Sequence, residues 1–216
     1  MKKKIKVLNL YAGIGGNRKL WPDQEIEVTA VEYNEEIAKI YQDFFPNDKV
    51  IVTDAHKYLL EHYKEFDFIW SSPPCPSHSS IRYVGGKNGN YEPIMPDMKL
   101  YSEIIFLKHW CKYINWVVEN VKPYYEPLKI DNYLPQESGR HLFWSNFHIT
   151  DKKTKAATHN GGIGDMQKHK GFDISKYKLS NFKGRRRDQI LRNCVESELG
   201  LYIWKCAFKE KQMELI

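Results

Sequence analysis

The sequence predicts an α/β fold with a mostly parallel sheet and helices on both faces. Three observations carry that expectation. Short β-rich apolar runs alternate with helical stretches as far as Val121, and the first run ends in a glycine turn. The 216 residues are 42% hydrophobic and 14% aromatic, enough to bury a core of one domain.

Each element has its own justification. Lys4–Tyr11 (KIKVLNLY) reads as a buried strand stopped by Ala12-Gly13-Ile14-Gly15-Gly16. Ile26–Glu32 is a second strand. Asn34 can then cap a helix that places Ile37, Ile40, Tyr41 and Phe44 on one face and stops at Pro46. Val50–Val52 reads as a third strand and Ala55–Tyr63 as a helix. Phe66–Ser71 is a fourth strand, cut off by Pro73-Pro74. Asp97 can cap a long helix to about Tyr113, and Trp116–Glu119 follows as a fifth strand. Beyond Pro123 the pattern loosens. His141–Phe147 is strand-like, 152–187 has little periodicity and reads as an insert, and Ile190–Phe208 returns as a helix that packs back on the core. The expected division is a core over 1–151, a small basic insert over 152–187 and a C-terminal helical segment over 188–216.

No apolar run approaches the about 18 residues a membrane helix needs, so no span is expected. The start Met1-Lys2-Lys3-Lys4 leads into a strand and a glycine turn without a signal-peptide core, which argues for the cytoplasm. Cys75, Cys111, Cys194 and Cys206 are far apart and form no C-x-x-C pair, against a disulfide scaffold or zinc ribbon. His78 completes a C-x-x-H with Cys75, but no second pair accompanies it, and no metal is expected.

The charge is local. From Lys152 to Arg187 eleven Lys or Arg oppose only Asp165 and Asp173, a net +9 within a chain of +6, so the remainder carries −3. Interleaved with Phe172, Tyr177 and Phe182, this stretch suits a polyanion such as nucleic acid; a solvated surface insert explains it equally well.

In open α/β sheets ligands bind beyond the carboxyl ends of the strands, first at the turn after strand one. Gly13-x-Gly15-Gly16 supplies that turn. The nicotinamide fingerprint needs a third glycine where Arg18 stands, which weakens a dehydrogenase reading. Glu32 ends the second strand, where it can hydrogen-bond a ribose diol, and Asp54 follows the third, where it can meet an adenine amine. Successive carboxylates without a pyrophosphate cradle match an adenosyl ligand such as S-adenosylmethionine. Ordinary capping at strand ends also explains both residues.

Ser71-Ser72-Pro73-Pro74-Cys75-Pro76-Ser77 is the most informative stretch. Its prolines place Cys75 in a rigid loop at the active edge of the sheet. A thiol with a pKa of about 8.5 is mostly protonated at neutral pH yet intrinsically very nucleophilic. Glu119, from Val117-Val118-Glu119-Asn120-Val121, should lie beside that loop. A cysteine nucleophile next to such a carboxyl group suits addition to an electron-poor ring, with the carboxyl assisting at a ring nitrogen.

The ordered set LNLYAGIGG, VEYN, TDAHKYL, SSPPCPS, VVENV, QESGRHLFW and RNCVESELG resembles the DNA (cytosine-5) methyltransferase family over nearly the whole chain. The family's Phe-x-Gly-x-Gly motif falls on Tyr11, Gly13 and Gly15, and its Pro-Cys on Pro74-Cys75. Its Glu-Asn-Val is Glu119-Asn120-Val121. Its Gln-x-Arg-x-Arg begins at Gln136 and ends at Arg140, and its last motif resembles Arg192-Asn193-Cys194-Val195. Three positions depart from it: Pro76 stands for Gln after the nucleophile, Ser138 for the first Arg, and Arg192 for Gly. The segment 152–187, where the family keeps its target-recognition region, is unusually short.

The resemblance implies a Rossmann-like, S-adenosylmethionine-dependent methyltransferase fold in which Cys75, Glu119 and Arg140 are catalytic. The cofactor would be held by Tyr11, Gly13, Ile14, Gly15, Gly16, Glu32, Tyr33, Asp54, Ala55, Ser72, Asn193 and Val195. A flipped cytosine would be attacked at C6 by Cys75 while Glu119 assists at N3 and Arg140 holds O2 or a phosphate. Asn120 would fix the loop. Double-stranded DNA is the implied partner of a monomeric enzyme, encoded by a phage or mobile element of a bacterial host by analogy. Ser79, Arg82, Lys87, Lys168, Lys170, Arg185, Arg186 and Arg187 are the expected nucleic-acid contacts. The glycine-containing loop Pro76–Pro96 reads as a lid. So short an insert should give salt-sensitive binding with a short target. Methylation of a tRNA cytosine, a binding protein that has lost turnover, and a dinucleotide oxidoreductase are the competing readings. The last is disfavoured by Arg18, and the lost-turnover reading by the presence of both Cys75 and Glu119.

Overall fold

The computed structural model describes residues 3–80, 84, 92–130, 134–150, 162–177 and 187–208. Seven strands form one sheet in the order β3-β2-β1-β4-β5-β7-β6. They are β1 (Ile5–Leu10), β2 (Ile26–Glu32), β3 (Lys49–Val52), β4 (Phe68–Ser71), β5 (Asn115–Val121), β6 (Gln136–Ser138) and β7 (His141–Ser145). The first five pair in parallel; β7 runs antiparallel to β5 and β6 to β7. β1 leads to β2 on one side and pairs with β4 on the other, so the crevice at its carboxyl end is where the strand order reverses.

Helices α1 (Glu35–Phe44), α2 (Ala55–His62) and α3 (Lys99–Trp110) join the parallel strands; α4 (Ile163–Lys170), α5 (Arg187–Arg192) and α6 (Ser197–Ala207) follow the sheet. Side-chain alternation along the strands sorts the core into two faces. Leu8, Leu10, Ile69, Trp116 and Val118 pack under α2 and α3. Val7, Val28, Phe68, Trp70, Val117 and Phe143 pack against Leu199, Ile203 and Trp204 of α6.

Several expected boundaries move. Asn34 caps α1 as expected, its side chain accepting from the amides of Glu36 and Ile37. Asp97 instead accepts from Lys99 N at 3.0 Å while Met98 occupies the cap position, and the helix ends at Trp110. The single C-terminal helix expected over 190–208 is two, parted at 193–196. Gly16 packs on that link: a Cβ there would stand 2.6 Å from Val195 O, so the glycine turn and the interhelical link meet backbone to backbone. The described part of the basic stretch packs on the core. Met166, Phe172 and Ile174 are buried with Ile14, Ile40, Ile190 and Leu191, which ties residues 163–177 to the turn and α1.

Among the described residues, no helix is long and apolar enough to cross a membrane.

Candidate active site

Pro73 and Pro74 carry the chain off β4, and Cys75 opens a turn in which its carbonyl accepts from the amides of His78 and Ser79, each at 3.0 Å. Asn120 Nδ2 donates to Pro73 O at 3.0 Å, so Asn120 holds the loop from the neighbouring strand, the part expected of it. Cys111, Cys194 and Cys206 are buried, whereas Cys75 is half-buried. Burial pushes the Cys75 thiol up, the Glu119 charge pushes it further, and its own backbone amide and the Arg140 guanidinium pull it back.

Glu119 is 7% exposed near the end of β5. Its Oε1 lies 2.6 Å from His141 Nδ1, and Ser72 stands near the same carboxylate. Ser72 Oγ in turn accepts from Trp70 Nε1 at 2.8 Å. Burial alone would raise this carboxyl group. His141, by hydrogen bond and by charge when its ring is protonated, acts with Ser72 and Arg140 to outweigh that and hold it below the usual carboxylate range.

The expected cofactor turn divides by what each residue faces. Tyr11 has φ +54°, rare for a side chain with a Cβ, and is held there by its hydroxyl donating to Glu103 Oε1 at 2.5 Å. Gly13 has φ +55° and a Cβ on it would meet nothing within 4 Å, so its backbone faces open space that a ligand can enter. Gly15 and Gly16 instead face inward: a Cβ on Gly15 would stand 2.3 Å from the Phe45 ring. Ile14 and Val195 are likewise core side chains, and Ala55 is buried at the start of α2. Glu32 ties the turn, its Oε2 accepting from Gly13 N at 3.0 Å and its Oε1 from Asn34 N at 2.9 Å. Asp54 caps α2 through Lys57 N, and Tyr33 stands 78% exposed beside Glu32. Asn193 is exposed and accepts from Gln189 Nε2. Ser72, also expected at the cofactor, is partly exposed just after β4. Gly13, Glu32, Tyr33 and Asp54 thus stand at the carboxyl ends of β1 to β3. Among the described residues no group of three or more His, Cys, Asp or Glu could hold a metal ion.

The profile of the C-5 cytosine-specific DNA methylase family matches residues 5–127, more than half of the chain. The chain belongs to that family. Solved structures similar to it include a mutant of DNMT2 from Spodoptera frugiperda, with 19% identity over 70% of this chain and 54% of that one and a TM-score of 0.46. Another is a prophage-encoded putative DNA modification methyltransferase from E. coli, with 14% identity over 70% and 52% of the two chains and a TM-score of 0.43. The chain spans about half the length of these structures. A search among curated proteins finds no match.

In this methylase-family chain Arg18, which stands where a dinucleotide site needs glycine, is a buried structural residue. It donates to Asp48 through Nε (2.9 Å) and Nη2 (3.0 Å), and to Asp23. Arg140 is exposed; its Nη2 donates to Arg192 O at 3.2 Å, which joins the β6–β7 turn to the last motif. Lys168 is exposed and Ser79 partly so, as a polyanion contact requires. Lys170 is a correction. It is 3% exposed, and its Nζ donates to Cys194 O at 2.7 Å and Glu196 Oε1 at 2.5 Å, so it fastens α4 to the interhelical link instead of meeting phosphate. Lys176 pairs with Asp43 at 3.4 Å. Arg82, Lys87, Arg185 and Arg186 lie outside the described residues, as does the side chain of Arg187.

Two site residues escaped the sequence reading. His141 had only its place after Arg140 to mark it. Glu103, on the buried side of α3, collects Tyr11, His56 and Ser71 around one carboxylate.

Proposed function

We propose that this protein transfers a methyl group from S-adenosylmethionine to C5 of a cytosine in double-stranded DNA through a covalent bond from Cys75. The observation that carries the reading is a half-buried Cys75 in the loop off β4 that Asn120 of β5 holds, with the buried, hydrogen-bonded Glu119 next to Asn120 on that strand.

Bound S-adenosylmethionine supplies the methyl group. Gly13 leaves room for it, and Glu32, Tyr33 and Asp54 take its adenosyl end. The Cys75 sulfur, once deprotonated, adds to C6 of a base flipped out of the duplex, because C6 is out of reach inside the stack. A proton passed through Glu119 to N3, replacing the one the thiol loses, keeps negative charge from accumulating on the ring as the S–C6 bond forms. C5 thereby gains the electron pair with which it takes the methyl group. Loss of the C5 proton and breakage of the S–C6 bond then return the thiolate and release 5-methylcytosine. Arg140, exposed at the hairpin turn, can reach the cytosine O2 or an adjoining phosphate, and Lys168 supplies backbone attraction.

Incubation with labelled S-adenosylmethionine and either mixed-sequence duplex or tRNA, followed by mapping of 5-methylcytosine, tests this. Label at C5 of duplex cytosines is the expected result. Label confined to tRNA changes the substrate, and label on an exocyclic amine overturns the mechanism.

A further inference from the structure

We propose that His141 is a positioning residue for Glu119, with Arg140 setting its tautomer. The inference rests on the methyl-transfer reading and adds to it a residue that no family motif supplied.

The geometry follows from a tight hairpin. Gly139 has φ +60° at the first position of the two-residue connection between β6 and β7, where Ser138 pairs with His141. Strand alternation then turns His141 to the same face as Phe143, and so toward Glu119 on β5, which pairs with Phe143. Arg140, in the turn, stays exposed while its Nε reaches back to His141 Nε2 at 3.2 Å. A guanidinium N–H can only donate, so Nε2 must accept, and the ring proton belongs on Nδ1. That proton points at Glu119 Oε1, 2.6 Å away.

One donor of defined geometry holds the carboxylate: His141 from β7, at 2.6 Å. A carboxylate accepts about four hydrogen bonds, so Glu119 keeps acceptor capacity to face a cytosine edge. With the ring at 8% side-chain exposure, His141 fixes the rotamer of a residue whose function depends on aim. Ser138, the departure from the family's first arginine, is small and buried, and His141 is the neighbouring side chain that reaches Glu119.

Nitrogen-15 imidazole spectra of the intact protein test the tautomer without turnover. An Nδ1–H signature for His141 is expected, and an Nε2–H signature overturns the proposal. Kinetics test the role. H141L should lower kcat by about 10²-fold while the KM values for DNA and cofactor stay within about threefold. H141N, whose side-chain amide can replace Nδ1–H, should recover most of that loss. Unchanged kcat in H141L, or no difference between the two variants, overturns the positioning role. If H141L does not fold, H141N against wild type and the tautomer still decide. An Nδ1–H signature in a wild-type protein that methylates no cytosine would overturn the methyl-transfer reading and leave the His141–Glu119 bond standing.

Discussion

Two carboxylates, Glu103 and Glu119, sit at the carboxyl end of the sheet on opposite faces of β4, and neighbouring serines serve them. Ser71 Oγ donates to Glu103 Oε2 at 2.6 Å on the α3 face, and Ser72 helps to hold the Glu119 carboxyl low on the α6 face. Each carboxylate also has a histidine, His56 Nδ1 at 2.9 Å for Glu103 and His141 Nδ1 at 2.6 Å for Glu119. The ingredients match and the outcomes differ. Glu103 adds the Tyr11 hydroxyl, so three donors close around it and lock the strained residue that begins the glycine turn. Glu119 keeps acceptor capacity and has a thiol and a guanidinium as electrostatic neighbours. A buried carboxylate with a histidine is therefore not a reactive centre by itself; spare acceptor sites beside a nucleophile make it one.

Replacing each carboxylate breaks the comparison most sharply. E119Q should lower methyl transfer by about 10³-fold with little change in melting temperature. E103Q strands donors that the carboxylate satisfied and should cost about 1–3 kcal/mol of stability, while the folded variant retains chemistry at Cys75. Turnover assays and thermal melts on both variants measure this, and equal effects on rate would erase the distinction.

Cys75 reports the charge of Glu119. Because that charge pushes the thiol up, E119Q should move the pH midpoint of Cys75 alkylation to lower pH. Mass spectrometry of the Cys75 peptide reads it, and E103Q should leave the midpoint where it is. A midpoint shift in E103Q instead would place the wrong carboxylate at the thiol.

The serines should give the smallest effects. S71A should cost about 1 kcal/mol of stability, whereas S72A should slow turnover roughly five- to tenfold. Denaturant melts and steady-state kinetics separate them.

The contrast also marks what the sequence could tell. Cys75 and Glu119 were legible because each sits at the carboxyl end of a parallel strand inside a short, ordered motif. The glycine turn was legible for the same reason, although which of its glycines faces a ligand was not: Gly13 and Gly16 look alike until the chain 180 residues on is packed against one of them. Glu103 reads as a solvated helix charge, since its partners come from three other segments. Lys170 is one of eleven basic residues until α4 turns it toward Cys194 and Glu196. The break at 193–196 carries no proline or glycine, so periodicity ran one helix through it. His141 depended on strand parity, which a one-residue change in the hairpin would reverse.

The central claim is that Cys75 forms the covalent bond to the base. Duplexes containing 5-fluorocytosine, incubated with the protein and S-adenosylmethionine, test it most directly, because fluorine at C5 cannot leave as a proton does. A protein–DNA adduct that maps to the Cys75 peptide and disappears in C75S is the predicted result. Near-normal methylation by C75S, or an adduct elsewhere on the chain, would contradict it.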